Sequence, residues 1–131
     1  AGGVWTLYPG LRLPGRQINA SGAAQADLGL ADFDGDGQAD VFWTDGAHWR
    51  VSWSGASAWQ NLNTSSITDI AVADLDGDGR ADIFRANGSD WRFSKSGSSS
   101  WQVLQNAPEV LPNLRFADVN GDGADDVLSL R

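Results

Sequence analysis

The sequence predicts an all-β fold, and three observations lead to that prediction. A nine-residue stretch rich in aspartate and glycine occurs three times, starting at residues 32, 74 and 118. The starts lie 42 and 44 residues apart, so the chain follows a repeating unit of about 43 residues. Apolar residues alternate with other residues on both sides of each copy, as they do in half-buried strands. Each stretch is therefore predicted to join one strand to the next.

The three copies read DFDGDGQAD, DLDGDGRAD and DVNGDGADD, and are called loop 1 (32–40), loop 2 (74–82) and loop 3 (118–126). Each carries side-chain oxygens at positions 1, 3, 5 and 9 and glycine at positions 4 and 6. Oxygens this dense would repel one another unless a hard cation lay among them, and Ca²⁺ takes about six to eight oxygen ligands, including backbone carbonyls. Position 7 varies freely, which fits a ligand supplied by its backbone carbonyl. The loops are therefore predicted to bind up to three Ca²⁺ per chain.

Position 12 separates these loops from the helix–loop–helix calcium site, which needs a bidentate Glu there. That place holds Trp43, Arg85 or Ser129, so the helix–loop–helix type is excluded and the ninth-position aspartate must close each site. An Asp/Gly-rich turn that binds nothing is the alternative, and three copies in register count against it. The predicted calcium ligands are Asp32, Asp34, Asp36, Gln38 and Asp40 in loop 1; Asp74, Asp76, Asp78, Arg80 and Asp82 in loop 2; and Asp118, Asn120, Asp122, Ala124 and Asp126 in loop 3.

The segments between the loops repeat as well. Trp49 and Trp59 follow loop 1, and Trp91 and Trp101 follow loop 2 at the same distances. With the strands that flank each loop, these segments give four short strands per unit, the content of one β-propeller blade. Near the start of the chain, Arg16 occupies the position that Trp59 has in the next unit. Residues 1–31 therefore correspond to the second part of a repeating unit. The whole chain, residues 1–131, is therefore predicted to be one domain of three cyclically permuted blades.

Three blades do not readily close a ring, because propellers usually have about four to eight. Left open, they would expose two blade faces and unpaired strand edges. We therefore expect either that several copies of the chain assemble into a ring, most simply a homodimer with six blades, or that the chain is part of a larger propeller.

The charge of the chain fits a metal-binding protein better than a nucleic-acid-binding one. Asp and Glu number 17 against 9 Lys and Arg, a formal net charge of −8 that three Ca²⁺ ions would largely neutralise. No basic face emerges to neutralise phosphates, so nucleic acid is not an expected partner. The sequence has no cysteine, no apolar run long enough to span a membrane and no signal peptide at its start. We expect a secreted protein, because extracellular calcium can fill weak loops.

The units DFDGDGQADVF, DLDGDGRADIF and DVNGDGADDVL resemble the FG-GAP or VCBS-type repeats of integrin-like β-propellers, in permuted register over essentially the whole chain. The resemblance implies a propeller fold with Ca²⁺ at the matching loop positions. Asn120 keeps an oxygen but removes a charge, so loop 3 is expected to be the weakest site. This repeat class includes integrin head domains, modules appended to secreted hydrolases, and seven-bladed lectins of the PLL/PVL type. The interleaved tryptophan strands look most like the lectins, which implies carbohydrate binding, with a fucose-like or cell-surface glycan as ligand.

Two sets of repeated tryptophans have different expected roles. Trp5, Trp49 and Trp91 lie on period-two strands and are expected to pack in the core between blades. Trp59 and Trp101 follow turns near a blade edge, where core packing and stacking against a pyranose ring both remain open. The predicted carbohydrate-binding residues are Trp59, Trp101, Gln60, Gln102, Arg50 and Arg92.

Catalysis has little support, and the protein is expected not to be an enzyme. His48 is the only histidine, and a Ca²⁺ ion saturated with protein oxygens has no open position to activate water. Trp43 and Trp53 do not repeat, so any role for them is local. Two functions stay open. One is a multivalent, calcium-stabilised lectin; the other is a non-catalytic structural or protein-interaction module, such as one appended to a secreted enzyme.

Overall fold

The computed structural model of the chain describes residues 3–7, 16–21 and 28–130. Strands joined by short turns and loops account for its regular structure, together with single-turn 3₁₀ helices, and no helix in the described part is long and apolar enough to cross a membrane. The strands in these ranges are β1 (Gly3–Leu7), β2 (Arg16–Ser21), β3 (Leu28–Ala31), β4 (Asp40–Thr44), β5 (Trp49–Ser52), β6 (Gln60–Asn63), β7 (Ala71–Ala73), β8 (Asp82–Ala86), β9 (Asp90–Ser94), β10 (Gln102–Asn106), β11 (Leu114–Ala117) and β12 (Asp126–Ser129).

The strands pair in chain order into antiparallel sheets. Sheet 2 has the order β3-β4-β5-β6 and sheet 3 the order β7-β8-β9-β10. Among the described residues, sheet 1 consists of β1 and β2, and sheet 4 of β11 and β12. The predicted all-β fold with four-stranded units is therefore confirmed in sheets 2 and 3. The number of blades in a closed ring stays a prediction.

The register of the outer strands corrects one alignment made from the sequence. Leu7 lies opposite Arg16 in sheet 1, and Val51 lies opposite Gln60 in sheet 2. Leu7 and Val51 both stand two residues after the tryptophan of their strand, so Arg16 corresponds to Gln60. The alignment of Arg16 with Trp59 was therefore wrong by one residue. Residue type guided it, whereas the backbone pairing of the two strands sets the true correspondence.

Sheets 2 and 3 pack face to face through one apolar cluster. Phe42, Trp49 and Val51 of sheet 2 meet Ile83 of sheet 3, and Phe33 of loop 1 completes the contact. Trp49 is 1% exposed, and its indole Nε1 donates a hydrogen bond to the carbonyl of Ile67 at 2.8 Å. The polar end of this large ring is thus satisfied inside the core.

Sheets 3 and 4 pack through a second cluster. It contains Phe84 and Leu114, with Trp91 and Phe116 against it. Ile83 and Phe84 are neighbours on β8 and both fully buried, because successive side chains point to opposite faces and each face is covered by a sheet. Sheet 3 is therefore a central layer, which is consistent with a blade stacked between two others.

Candidate calcium loops and intersheet cleft

The three loops connect equivalent strands, leading from β3 to β4, from β7 to β8 and from β11 to β12. In loop 1, Gly35 and Gly37 adopt φ values of 79° and 85°. Glycine reaches such positive angles without steric cost. The loop backbone therefore turns sharply at both positions and directs its N–H groups inward.

The first aspartate of each loop receives those N–H groups. Asp32 accepts hydrogen bonds from Gly35 at 2.7 Å and Gly37 at 2.8 Å, one on each carboxylate oxygen. Asp74 and Asp118 accept the matching pair in loops 2 and 3. Desolvation raises the pKa of Asp32, but the bonds from Gly37 and Gly35 outweigh it and leave that pKa below its usual value. The carboxylate is thus held ionised at the start of the loop.

The aspartate at position 9 accepts backbone hydrogen bonds in each loop, and its role as a calcium ligand stays a prediction. Asp40 is fully buried; one oxygen accepts from the N–H of Phe33 at 2.9 Å and the other from the N–H of Ser54 at 2.7 Å. Asp82 makes the same two bonds in loop 2, the second from Ser96 at 2.8 Å. The ninth aspartate therefore ties its loop to the turn that follows the third strand of the sheet.

Carboxylates converge in loops 1 and 2. Oxygens of Asp32, Asp34 and Asp40 lie within 4.8 Å of one another, and so do oxygens of Asp74, Asp76 and Asp78. Desolvation raises the pKa of Asp34, and the nearby carboxylates of Asp40 and Asp36 add to the rise. An all-oxygen set with unbalanced negative charge suits a hard cation, so both clusters could hold a metal ion.

Position 7 contributes to loop geometry through its backbone. The N–H groups of Gln38, Arg80 and Ala124 donate to the aspartate two residues earlier in their loops, at 2.8, 2.9 and 2.9 Å. These bonds help to fix the aspartate at position 5 of each loop. Ligation of Ca²⁺ by the position 7 carbonyls stays a prediction.

Loop 3 keeps the backbone pattern but changes the donor set. Asn120 accepts from the N–H of Asp122 at 3.0 Å, as its counterparts do, and its amide nitrogen donates to Asp126 at 3.4 Å. In the described part of the chain, the convergent acidic groups come from loops 1 and 2. The expectation that loop 3 is the weakest site is in line with this difference.

Consecutive loops are joined to one another by backbone hydrogen bonds. The N–H of Ala81 in loop 2 donates to the carbonyl of Asp32 at 2.7 Å, and that of Asp125 in loop 3 donates to the carbonyl of Asp74 at 2.6 Å. In both cases position 8 of one loop meets position 1 of the preceding loop. The three loops thus form a row along one side of the stacked sheets.

The part of the chain that contains loops 1 and 2 matches a known repeat family. Residues 32–85 match the FG-GAP-like repeat. The FG-GAP-like segment begins at the first residue of loop 1 and ends within β8, so it contains loops 1 and 2 and the sheet 2 strands between them. No curated protein and no solved structure gives a significant match.

Lys95, which the sequence gave no reason to select, contacts loop 2 of the FG-GAP-like segment. Its Nζ lies 2.6 Å from a carboxylate oxygen of Asp76 and 3.3 Å from one of Asp78. Its hydrogen bond with Asp76 raises the pKa of Lys95 and lowers that of Asp76. Trp53 is the residue at the corresponding position of the repeat, four residues after Trp49 as Lys95 is four residues after Trp91. Loops 1 and 2 therefore differ in how their negative charge is balanced.

Trp59 and Trp101 pack at successive junctions between sheets. The Trp101 ring lies edge-to-face against Trp49 with centroids 5.4 Å apart, and the Trp59 ring lies in the same way against Trp5 at 5.3 Å. Trp59 also contacts Trp43 at 5.3 Å. Trp59 and Trp101 remain partly exposed. Both rings thus contribute to packing and keep some surface open to solvent.

A cleft of about 310 Å³ lies where sheets 2 and 3 meet, beside Trp101. Because Trp49 is almost completely buried, Trp101 is the ring available to a ligand there. The amide of Asn63 donates to the carbonyl of Gly97 at 3.2 Å across the junction. The lining residues are Trp49, Asn63, Thr64, Ser65, Ser98, Ser99, Ser100 and Trp101.

The predicted polar residues lie elsewhere. Gln60 accepts a hydrogen bond from the indole of Trp53 at 3.0 Å. Arg50 pairs with Asp45 at 2.7 Å and lies over the ring of Trp43. These residues, together with Arg92 and Gln102, are not among those lining the cleft of about 310 Å³. Of the residues predicted to bind carbohydrate, Trp101 lines this cleft, and Asn63, Thr64 and Ser65 line it without having been selected from the sequence.

A larger cleft of about 620 Å³ lies between β3, β4 and β7. Its aromatic residues are Phe42, which belongs to the core, and Trp43, which does not repeat. Trp43 is replaced by Arg85 in sheet 3, where the guanidinium lies over Trp101 at 5.6 Å. The smaller cleft therefore carries the repeated tryptophan pair and the larger one does not.

Proposed function

We propose that this protein is a calcium-stabilised, non-catalytic β-propeller module that binds carbohydrate. The observation that carries the carbohydrate part is the cleft between sheets 2 and 3, where an indole meets a group of hydroxyl and amide side chains. A pyranose ring has an apolar C–H face that stacks on an indole, while its hydroxyls need hydrogen-bond partners. Trp101 would supply the stacking surface, and Asn63, Thr64 and the serines would select the hydroxyls.

Calcium would be held by the carboxylates that converge in loops 1 and 2, with the equivalent oxygens of loop 3 as a weaker third site. Bound Ca²⁺ would neutralise the repulsion among these carboxylates. The FG-GAP-like match over residues 32–85 covers loops 1 and 2. Loops of this kind fill readily at extracellular calcium concentrations, so we place the protein outside the cell.

Loop 2 and the cleft are connected by hydrogen bonds, which gives calcium a route to the sugar site. Asp82 holds the N–H of Ser96, and the N–H of Lys95 donates to the hydroxyl of Ser99 at 2.7 Å. Ser99 lies in the wall of the cleft. A calcium ion that stiffens loop 2 would therefore also fix that wall, and removing it should weaken glycan binding.

Catalysis is not part of the proposal. The aspartates of the loops already accept backbone hydrogen bonds, and the one histidine, His48, lies beside Asp45 with Nδ1 3.7 Å from its carboxylate. The competing proposal is a structural or interaction module. The packing of Trp101 on Trp49 favours it, because a ring used only in the core would leave no stacking platform.

A glycan array in calcium buffer tests the carbohydrate proposal, with fucosylated and cell-surface glycans included. We expect the wild type to bind glycan and Trp101→Ala to bind at least about tenfold more weakly. The substitution removes the indole on which the sugar would stack and changes the shape of the cleft. Thr64→Val removes one hydroxyl from the cleft at constant size and should weaken binding while the melting temperature stays unchanged. Trp53→Ala is the matched control, because Trp53 does not line the cleft. No binding by the wild type to any glycan would favour the structural module.

A further inference from the structure

Asparagine is followed by glycine twice in the chain, at Asn87–Gly88 and at Asn120–Gly121. Such a pair can lose ammonia without an enzyme, because glycine has no side chain to keep its backbone nitrogen away from the preceding amide carbon. The first pair lies in the turn between β8 and β9, the second lies in loop 3, and both pairs are exposed. Sequence and exposure do not separate the two pairs, whereas their hydrogen bonds do.

The side chain of Asn87 is held over its turn with its carbonyl polarised. Its Oδ1 accepts hydrogen bonds from the N–H groups of Ser89 and Asp90, both at 2.9 Å. Nucleophilic attack on the side-chain carbonyl places negative charge on this oxygen, and donors already aimed at it stabilise that charge. The Nδ2 group, which must leave, donates to a carboxylate oxygen of Asp90 at 3.0 Å. The carbon that would be attacked is therefore activated.

The backbone nitrogen of Gly88, which is the nucleophile in this reaction, has no bond to break first. Its N–H donates no hydrogen bond within the described part of the chain. Gly88 has a φ of 88°, and a Cβ added there would meet no atom within 4 Å beyond its chain neighbours. In loop 3, by contrast, the N–H of Gly121 donates to the carboxylate of Asp118 at 2.7 Å. That bond must break before the nitrogen can attack.

We propose that Asn87 is a modification site of the folded protein, at which spontaneous deamidation converts the amide to a carboxylate. Hydroxide takes the N–H proton of Gly88, and the nitrogen forms a bond to Cγ of Asn87. The Cγ–Nδ2 bond breaks, and ammonia leaves with a proton from water, which restores the hydroxide. Water then adds to the cyclic imide and breaks one of its C–N bonds, giving aspartate or isoaspartate. The whole sequence consumes one water and releases one ammonia.

Sheet 2 shows how the fold accommodates the aspartate product. Asp45 is the counterpart of Asn87 in the repeat. Its Oδ1 accepts the N–H groups two and three residues later, as Oδ1 of Asn87 does. An aspartate at position 87 would keep these two bonds but would place a carboxylate, instead of the Nδ2 donor, beside Asp90. Deamidation therefore adds a negative charge to a turn whose backbone it leaves intact.

The chain carries its own control, since both Asn-Gly pairs age in the same sample. Folded wild-type protein is incubated in mildly alkaline buffer with chelator, so that no bound ion protects loop 3, and circular dichroism verifies the fold. Peptide mass spectrometry then follows the replacement of amide by carboxyl at each site. We expect Asn87 to convert at least about tenfold faster than Asn120, because only the second site must first break a hydrogen bond to a carboxylate. In urea-unfolded chain the two rates should become similar.

Asp118→Ala tests the reason for the difference. It removes the acceptor of the Gly121 N–H and should raise the rate at Asn120 severalfold, while the rate at Asn87 stays at its wild-type value. Asn87→Gln, which can form only a larger and slower ring, should abolish the conversion at that site. Equal rates at Asn87 and Asn120 in the folded wild type would overturn the proposal. It would also be overturned if Asn87 stayed unconverted while the unfolded chain converted fully, or if Asp118→Ala left Asn120 unchanged.

Discussion

The unit formed by loop 1 and sheet 2 and the unit formed by loop 2 and sheet 3 share a backbone but not a charge balance. Asp40 and Asp82 make the same two backbone bonds. Lys95, however, contacts two carboxylates of loop 2. Its counterpart in the repeat is the uncharged Trp53, and the aspartates of loop 1 form no ion pair among the described residues. The two loops thus share their backbone hydrogen bonding, whereas a residue outside the nine-residue motif changes the charge balance of loop 2.

Removal of the aspartate at position 9 tests the backbone hydrogen bonding that the two loops share, and it should have the largest effect. Asp82→Ala leaves the N–H groups of Leu75 and Ser96 without their acceptor in a buried site. We expect a loss of about 3 kcal/mol in the free energy of unfolding, measured by urea denaturation in chelator at one protein concentration.

Asp40→Ala removes the equivalent bonds from loop 1 and should cost about as much. The comparison would break if one of the two substitutions cost less than about 1 kcal/mol, because the loops would then differ in their hydrogen bonding as well as their charge.

Exchange of the residues beside the loops tests the part that differs. Lys95→Met removes the ammonium from Asp76 and Asp78 and should lower the melting temperature in chelator by about 2 °C, a small shift because the lysine is half exposed. The same substitution should raise the calcium affinity of loop 2 roughly tenfold, since a nearby positive charge no longer repels the ion.

Amide resonances of the sixth-position glycines report each loop separately in a calcium titration. The Gly79 midpoint should move to lower calcium in Lys95→Met, while the Gly37 midpoint stays at its wild-type value. Lys95→Arg is the charge-preserving control, and Trp53→Lys should move the Gly37 midpoint to higher calcium. An unchanged Gly79 midpoint in Lys95→Met would show that the ammonium does not compete with the ion.

The smallest effect is expected from the ion pairs of Arg50 with Asp45 and of Arg92 with Asp90. Arg92 binds Asp90 through two hydrogen bonds of 2.9 Å, and this pairing lowers the pKa of Asp90. A lowered pKa in the folded protein contributes stability that is present above the ordinary carboxyl pKa and is lost as the pH falls through the lowered value.

In Asp90→Asn, the melting temperature should therefore fall slightly less steeply as the pH is lowered below about 4. In sheet 2, Asp45 has a lowered pKa mainly because the N–H groups of Ala47 and His48 donate to it, so Arg50→Gln should change that profile less. A larger change with Arg50→Gln would reverse the contrast between the two sheets.

Much of the loop structure could be predicted from the sequence because it is local. The turn at Gly37 and the hydrogen bond from the N–H of Phe33 to Asp40 depend on residue types within nine positions. Strand pairing in sheets 2 and 3 followed from period-two alternation and the repeat. Lys95 was missed because its contact with Asp76 depends on how a turn folds back over a loop. Asn63 was missed although Asn19 lies opposite Trp5 as Asn63 lies opposite Trp49. The correspondence depends on the strand register, and Asn63 joins the cleft only where two sheets meet.

The hydrogen bonds between consecutive loops have a consequence for the predicted calcium sites. The N–H of Ala81 in loop 2 donates to the carbonyl of Asp32 in loop 1, and that of Asp125 in loop 3 donates to the carbonyl of Asp74 in loop 2. An ion that ordered one loop would also restrict the loop beside it, so the second site would lose less conformational entropy when it filled. Calcium binding would then be positively cooperative along the row of loops.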